Sequence, residues 1–397
     1  MHLLFIRNLV YLKALLLIGC ANIPDLCDGF TEVAEPARAA YFSTNRIYPL
    51  PAEVYALAEK YKPRLIIHPD GLKPIDFDDY LANARLLGPG KKRSRPIADI
   101  AQLNYDEQCH SYVKPTRDPV ISQPPYPWYL QAFRDQAPGD PSRQWTYLKF
   151  NLAFDWSGLG VDLGGLAQVG VTLLGTNPAR WHRLDIHTAV VIAIDEKGYQ
   201  RAIAINQHNY VRTYLGGKDF IMTEPVTVVA AFRTNELYLD SHKETVEKFP
   251  VVRFYDDMLY LIAGEGKPFL LAQDLVVGSE AGGIELPTRL TVIDPQDPLA
   301  SFAGLLAPPK RLWGMIYTGR DGPMGYDYYS LPATVPLNRL TALGYWQEGD
   351  LVLADQLRPL LEELQYFGDE EEWQPLIQFM EKRIYTALRE QEQLLVK

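Results

Sequence analysis

The chain has 397 residues, 47% of them apolar and 12% aromatic, with 39 basic against 49 acidic residues. Such content supports a large hydrophobic core, and length alone permits two domains. A net charge of −10 argues against a nucleic-acid partner, because binding a phosphate backbone needs a basic surface. Thirty prolines, 24 tyrosines and seven tryptophans fit a secreted, loop-rich β protein better than a helical one.

Residues 1–19 read as a targeting segment. Arg7 and Lys13 supply positive charge, and Ala14-Leu15-Leu16-Leu17-Ile18-Gly19 is a short apolar run ending at a small residue. The run falls short of the ~20 apolar residues of a spanning helix. Leu17-Ile18-Gly19-Cys20 resembles the bacterial lipobox, which implies lipidation of Cys20. A location in the cell envelope (periplasmic or outer-membrane face) follows, with the membrane engaged through an N-terminal lipid. Without residues 1–19 the balance is 37 basic to 49 acidic, a net of −12. Cys27 and Cys109 are the remaining cysteines; a disulfide and two unpaired thiols both stay open, since one possible pair gives no spacing signature.

Residues 20–50 are mixed in composition and read as a tether or extension. Helical spacing over 51–61 places Val54, Leu57, Ala58 and Tyr61 on one side, and Arg64–Ile67 is a short buried strand ending at His68-Pro69-Asp70. A helix is expected over 76–87 and a basic, solvated loop over 88–96. Residues 110–144, rich in Pro and Asp, are expected to hold little regular structure. Trp145–Trp156 alternates as a strand, with Thr146, Leu148, Phe150, Leu152, Phe154 and Trp156 on one face. Gly158–Gly175 is glycine-rich, but Leu163 stands where a dinucleotide fingerprint needs its third glycine. Further strands are expected near 225–233, 236–240, 251–255, 269–277, 288–293 and 312–317. Helical periodicity returns at Leu351–Gln365 and Trp373–Leu395, split by the acidic turn 368–372. The expected fold is mainly β: a large antiparallel β-sandwich over 51–345 with a short N-terminal helix, closed by a C-terminal helical hairpin over 346–397.

Chemistry concentrates in the hairpin predicted over Leu184–Asn209. Two alternating runs flank Asp195-Glu196-Lys197-Gly198, a turn-type sequence. If Asp195 pairs with Gly198, Asp185 lies opposite His208 and His187 opposite Asn206 on one face. A loop differing by one residue would break that parity. His182, Asp185, His187 and His208 then form a candidate metal site, in which imidazole plus carboxylate suits zinc, iron or nickel. A hydrogen-bonded cluster without metal is the alternative. His68, Asp70, Asn206 and His242 are candidate ligand-binding groups, and His208 or His242 a candidate catalytic base near neutral pH. Asp155 and Asp162 are a further acid pair that would suit glycoside hydrolysis only at the right separation.

Several ordered pieces resemble the vacuolar protein sorting-associated protein 62-related family, which is linked to the necrosis-inducing toxins. Tyr61–Asp70 is similar to its opening strand with H-P-D, Asp78-Asp79-Tyr80-Leu81 to the segment after it, and His182–His187 to the toxin sequence H-R-H-D-W-E. Gln207-His208, Ser241-His242 and Leu312-Trp313-Gly314 followed by Gly322-Pro323 resemble later pieces. Leu184, Ile186 and His187 depart from the family's His, Trp and Glu. The resemblance implies a decorated β-sandwich and a divalent ion near His182, Asp185 and His187, in a more nitrogen-rich shell. Three functions are compatible with these observations. The first is a lipid-anchored binding protein taking a divalent cation and a polar ligand, a glycan or lipid head group. The second is a metal-dependent hydrolase of an ester, phosphoester or glycoside, and the third a structural envelope lipoprotein.

Overall fold

The computed structural model describes residues 46–317 except 89–93, 105–106, 109, 120, 138–139, 159, 161–176, 187–188, 208–209, 218, 241–245, 256–267, 296, 298, 300–301, 303, 309–310 and 313–315. The targeting segment 1–19, the lipidation site Cys20, Cys27, Cys109 and the C-terminal hairpin over 346–397 lie outside the described residues, as does most of the tether. No helix among the described residues is long and apolar enough to cross a membrane.

Helix α1 spans Ala52–Tyr61 and buries Val54, Ala58 and Tyr61, residues spaced to fall along one stripe. Glu53 in its first turn and Lys60 in its last complement the helix dipole. Pro63 follows and stops the helix. Its carbonyl accepts from Trp128 Nε1 at 3.0 Å, and Tyr61 Oη donates to Gly198 O at 2.6 Å.

Strands follow as β1 (Arg64–Ile67), β2 (Ala84–Leu87), β3 (Ser94–Arg95), β4 (Tyr112–Pro115), β5 (Tyr126–Ala137), β6 (Asp140–Asn151), β7 (Phe154–Ser157), β8 (His182–Asp185) and β9 (Ala189–Ile194). After these come β10 (Gln200–Gln207), β11 (Tyr210–Leu215), β12 (Thr227–Ala230), β13 (Leu237–Leu239), β14 (Val246–Tyr255), β15 (Pro268–Val277), β16 (Ile284–Leu286) and β17 (Thr288–Val292). A six-stranded sheet runs β11-β10-β9-β6-β5-β17 and a four-stranded sheet runs β13-β12-β1-β16. They face each other across one core. Leu65, Ile67, Val228 and Ala230 come from the smaller sheet, Trp128, Leu148, Phe150, Ile192 and Ile203 from the larger, and α1 closes one side. The mainly β, sandwich-like architecture expected from sequence is therefore present.

Three expectations need correction. The segment 76–87 is not one helix: helix α2 covers only Phe77–Ala82, and Ala84–Leu87 is strand β2, paired with β4. Asn83 ends the helix by donating its side-chain amide to Asp79 O at 2.8 Å. Residues 110–144 are not irregular, since they supply β4, β5 and the start of β6. Their proline and aspartate suggested loop, but Trp128, Leu130 and Ala132 fix β5 by burial, and tertiary packing overrides local propensity. Nor are the sheets purely antiparallel: β1 pairs with β12 and β17 with β5 in parallel. Strand direction is invisible in alternation, because pleat periodicity is the same either way.

Candidate functional site

The predicted pairing of the central hairpin shifts. Asp195 N–H donates to Tyr199 O at 3.0 Å, so the turn is longer than a two-residue connection, and a bulge lies between Gln200 and Ala202. Ile192 consequently pairs with Ile203, two residues beyond the expected Arg201. The cause is Asp195. One of its oxygens accepts from the backbone of Lys197 and Tyr199, and the other takes the buried Arg201 guanidinium at 3.1 Å. Gly198, at φ +80°, supplies the left-handed turn residue. An offset of two preserves which face each residue occupies.

A larger difference lies at the other end. The run predicted as one strand from Asp185 to Ile194 is two strands, and its partner 145–156 breaks at the same level. Strand β9 pairs with β6 as far as Ala189–Asn151, and β8 pairs with β7, with Asp185 opposite Phe154. Between these two registers the β6–β9 ladder ends and the β7–β8 ladder begins. Asn151 Nδ2 spans it, donating to Ile186 O at 3.1 Å. Asn151 Oδ1 is buried with no hydrogen-bond partner among the described residues. Leu184, just before Asp185, has φ +58°, a conformation that a branched side chain adopts only under constraint.

The constraint comes from the loop between β12 and β13. Asn235 donates Nδ2 to both Asp185 Oδ2 at 2.9 Å and Trp156 O at 2.8 Å. Ser157 Oγ donates to Thr234 O at 3.2 Å, and Gly158 N–H to Arg233 O at 2.7 Å. On the opposite flank Thr234 Oγ1 and Tyr238 Oη donate to the two oxygens of Asp274 at 2.7 and 2.8 Å. Asp185 and Asp274 are fully buried. Arg233 (φ +74°) and Asn235 (φ +61°) are, with Leu184, the non-glycine residues of positive φ among those described. Backbone strain is thus gathered around Asp185 and the loop that holds it.

Two of the residues nominated from sequence meet this loop. Asp185 does so through Asn235. His68, half-buried beyond the end of β1, sets its ring 4.4 Å from that of Phe232, and its Nδ1 accepts from the N–H of exposed Asp70 at 3.0 Å. Asp240 N–H donates to Thr227 O, the end of β12 far from His68. His182 pairs with Ser157 in β8, and Asn206 with Val211 between β10 and β11. His187, His208 and His242 lie outside the described residues, as does Asp162. Among the described residues no group of three His, Cys, Asp or Glu is placed to hold a metal.

Beside Asp185 the ribbon of β7 and β8 carries a charged group that the sequence reading did not single out. Arg183 stands opposite Trp156 across the ribbon, its guanidinium 4.7 Å from the indole centroid. It pairs with Asp155 at 2.8 Å and with Asp118 at 3.3 Å. Burial raises the Asp155 carboxyl above the ordinary carboxylate range; Arg183 works against that shift and Asp118 adds to it. Asn235 and Thr234 were also missed, although Thr-Asn between two strand-like runs is a turn signal and Asn tolerates left-handed backbone. Asp274 left no signal beyond its place within a strand-like run.

No family model matches the chain, and no curated protein matches it. Among solved structures it is weakly similar to one titled "NLPPya in complex with mannosamine", at 13% identity over 51% of this chain and 75% of that one, with a TM-score of 0.24. A structure titled "Toxin fold for microbial attack and plant defense" gives 12% identity, 51% and 76% coverage, and a TM-score of 0.24. A third, "NLPPya in complex with glucosamine", gives 11%, 65% and 86%, with a TM-score of 0.26. Likeness this slight carries no argument about ligand or activity.

Proposed function

We propose that the protein is a binding module of the cell envelope, tethered through a lipid on Cys20. In this reading it takes a polar ligand, a glycan or lipid head group, together with a divalent cation at Asp185. The observation that carries the reading is the strained, buried setting of Asp185. Its carboxylate sits where a long strand pair breaks, held by Asn235 from a loop with two left-handed residues. Such strain persists only where the surroundings impose it, and it collects at ligand sites. His182, His187 and His208 are the proposed companions of Asp185 on the cation. The orphaned, fully buried Asn151 Oδ1 at the same break is a further oxygen acceptor suited to a cation or a donor. His68 and Asp70, reached through Phe232, and Asn206 and His242 are the proposed contacts to the polar ligand.

Metal analysis of the purified protein beside an Asp185→Ala, His187→Ala variant tests this reading. The expected result is a stoichiometric divalent ion in the parent and its loss from a still-folded variant. No metal in either, with ligand binding unchanged in the variant, would end it. A screen of chromogenic esters, phosphoesters and glycosides with and without chelator separates binding from turnover. Chelator-sensitive activity would move the assignment to a metal-dependent hydrolase.

A further inference from the structure

We infer that Arg180 and Arg183, flanking Trp156 on the β7–β8 ribbon, form a binding site for an oxyanion, the phosphate ester of a sugar or of a lipid head group. Two guanidiniums converge on one indole: Arg183 at 4.7 Å as its cross-strand neighbour, and Arg180 at 5.5 Å. Arg180 ends the 3-10 turn Pro178–Arg180, which Asn177 caps by accepting from Ala179 N–H at 2.9 Å. Trp181 N–H then donates to Ser157 O at 2.8 Å, fixing the turn to the ribbon. The position of both arginines is therefore set by backbone structure, which is what a preorganised site requires.

Their pairing is incomplete. Arg180 is exposed and, although close enough to Asp155 to favour that carboxylate's charged form, forms no ion pair with it at the distance that Arg183 does. Arg183 Nε is buried without a hydrogen-bond partner among those residues, and the Arg183 side chain is only 13% exposed. Asp155 takes its Nη2 at 2.8 Å. Asp118, which is 90% exposed, offers a single oxygen to Nη1 and to that same Nη2, both at 3.3 Å. So exposed and long a contact is weak. It nevertheless shows that an oxyanion reaches this part of the guanidinium from solvent. A phosphate group would present two oxygens to the fork and displace Asp118, with Arg180 adding a second positive charge. In a chain of net charge −10, long-range attraction for anions is absent, so affinity must be local and sensitive to salt.

This inference uses neither Asp185 nor any histidine, so it stands or falls apart from the cation reading. The test is calorimetric titration of the whole protein, in chelator, with glucose 6-phosphate, glucose and inorganic phosphate. Co-sedimentation with phosphatidylglycerol or phosphatidylcholine vesicles runs alongside. Binding of glucose 6-phosphate but not glucose is expected, weakened about tenfold or more in Arg180→Gln. Asp118→Asn should tighten it by about two- to fivefold, because the competing carboxylate is gone. A merely structural cluster would not tighten. Preference for phosphatidylglycerol vesicles over glucose 6-phosphate, with the same two variant effects, identifies the head group as the source. No binding of any phosphate probe, or binding indifferent to both substitutions, overturns the proposal. Both variants alter exposed side chains, so circular dichroism should show the parental fold in each.

Discussion

The strand pair that runs through the centre of the molecule is regular in one half and broken in the other. Where β6 meets β9 the pairs follow one another without interruption, and all six residues of β9 are buried. Where β7 meets β8 the ribbon leaves the sheet, Leu184 turns left-handed, and a buried carboxylate is held by a loop from the opposite sheet. The regular half needs only apolar side chains of the right parity. The broken half needs particular polar partners, and the buried Asp185, Asn235, Thr234 and Asp274 are gathered there. The contrast separates residues held by apolar burial from residues held by specific hydrogen bonds.

The largest effect should come from the regular half. Trp128 is fully buried, packs edge-on against Phe150 and donates to Pro63 O. Trp128→Ala should cost about 3–5 kcal/mol in denaturant unfolding. On the broken side, Asp274→Ala leaves the hydroxyls of Thr234 and Tyr238 without their acceptor. That change should cost about 2–3 kcal/mol, close to a core truncation although no apolar contact is lost. Arg233→Gly sharpens the comparison. Relief of the left-handed backbone at φ +74° offsets the extra freedom of glycine when unfolded, so stability should stay level or rise by up to about 1 kcal/mol. A loss above about 1 kcal/mol would show that the Arg233 side chain, over the Phe232 ring at 5.2 Å, outweighs the strain.

Much of the regular half could be read directly from the chain. Helix α1 and strand β1 appear where spacing places them, and Leu148 and Phe150 of β6 share the core. The break could not be read, because nothing in Leu184-Asp185-Ile186 announces a left-handed residue. Its conformation is imposed by Asn235, 50 residues away in sequence. The register was missed for a related reason. Asp195 looks like a turn residue, but its second task, binding Arg201, forces the bulge. Short-range pattern reports burial well and long-range hydrogen bonding poorly.

The smallest effect is a pH dependence with two opposite contributions. The bidentate contact with Arg143 is the main cause holding the Glu196 carboxyl below its usual value. Its contribution is present above the unfolded pKa and is lost as pH falls through the lower folded value. Asp155 runs the other way. Burial raises its pKa, so its contribution favours the fold in acid and is withdrawn as pH rises through the raised folded value. Melting curves of Asp155→Asn and Glu196→Gln against pH should flatten opposite slopes. Parallel behaviour of the two variants would contradict the assignment.

If Asp185 holds a cation as proposed, it is more than a fold constraint. Thermal melting under titration with zinc, comparing the parent protein with Asp185→Asn, addresses it directly, since a ligand specific for the native state stabilises by about 2.7 kcal/mol at a hundredfold excess over Kd. A cation held by Asp185 gives a saturable rise in Tm for the parent and none for the variant. Equal shifts in both proteins, or no shift in either, would contradict it.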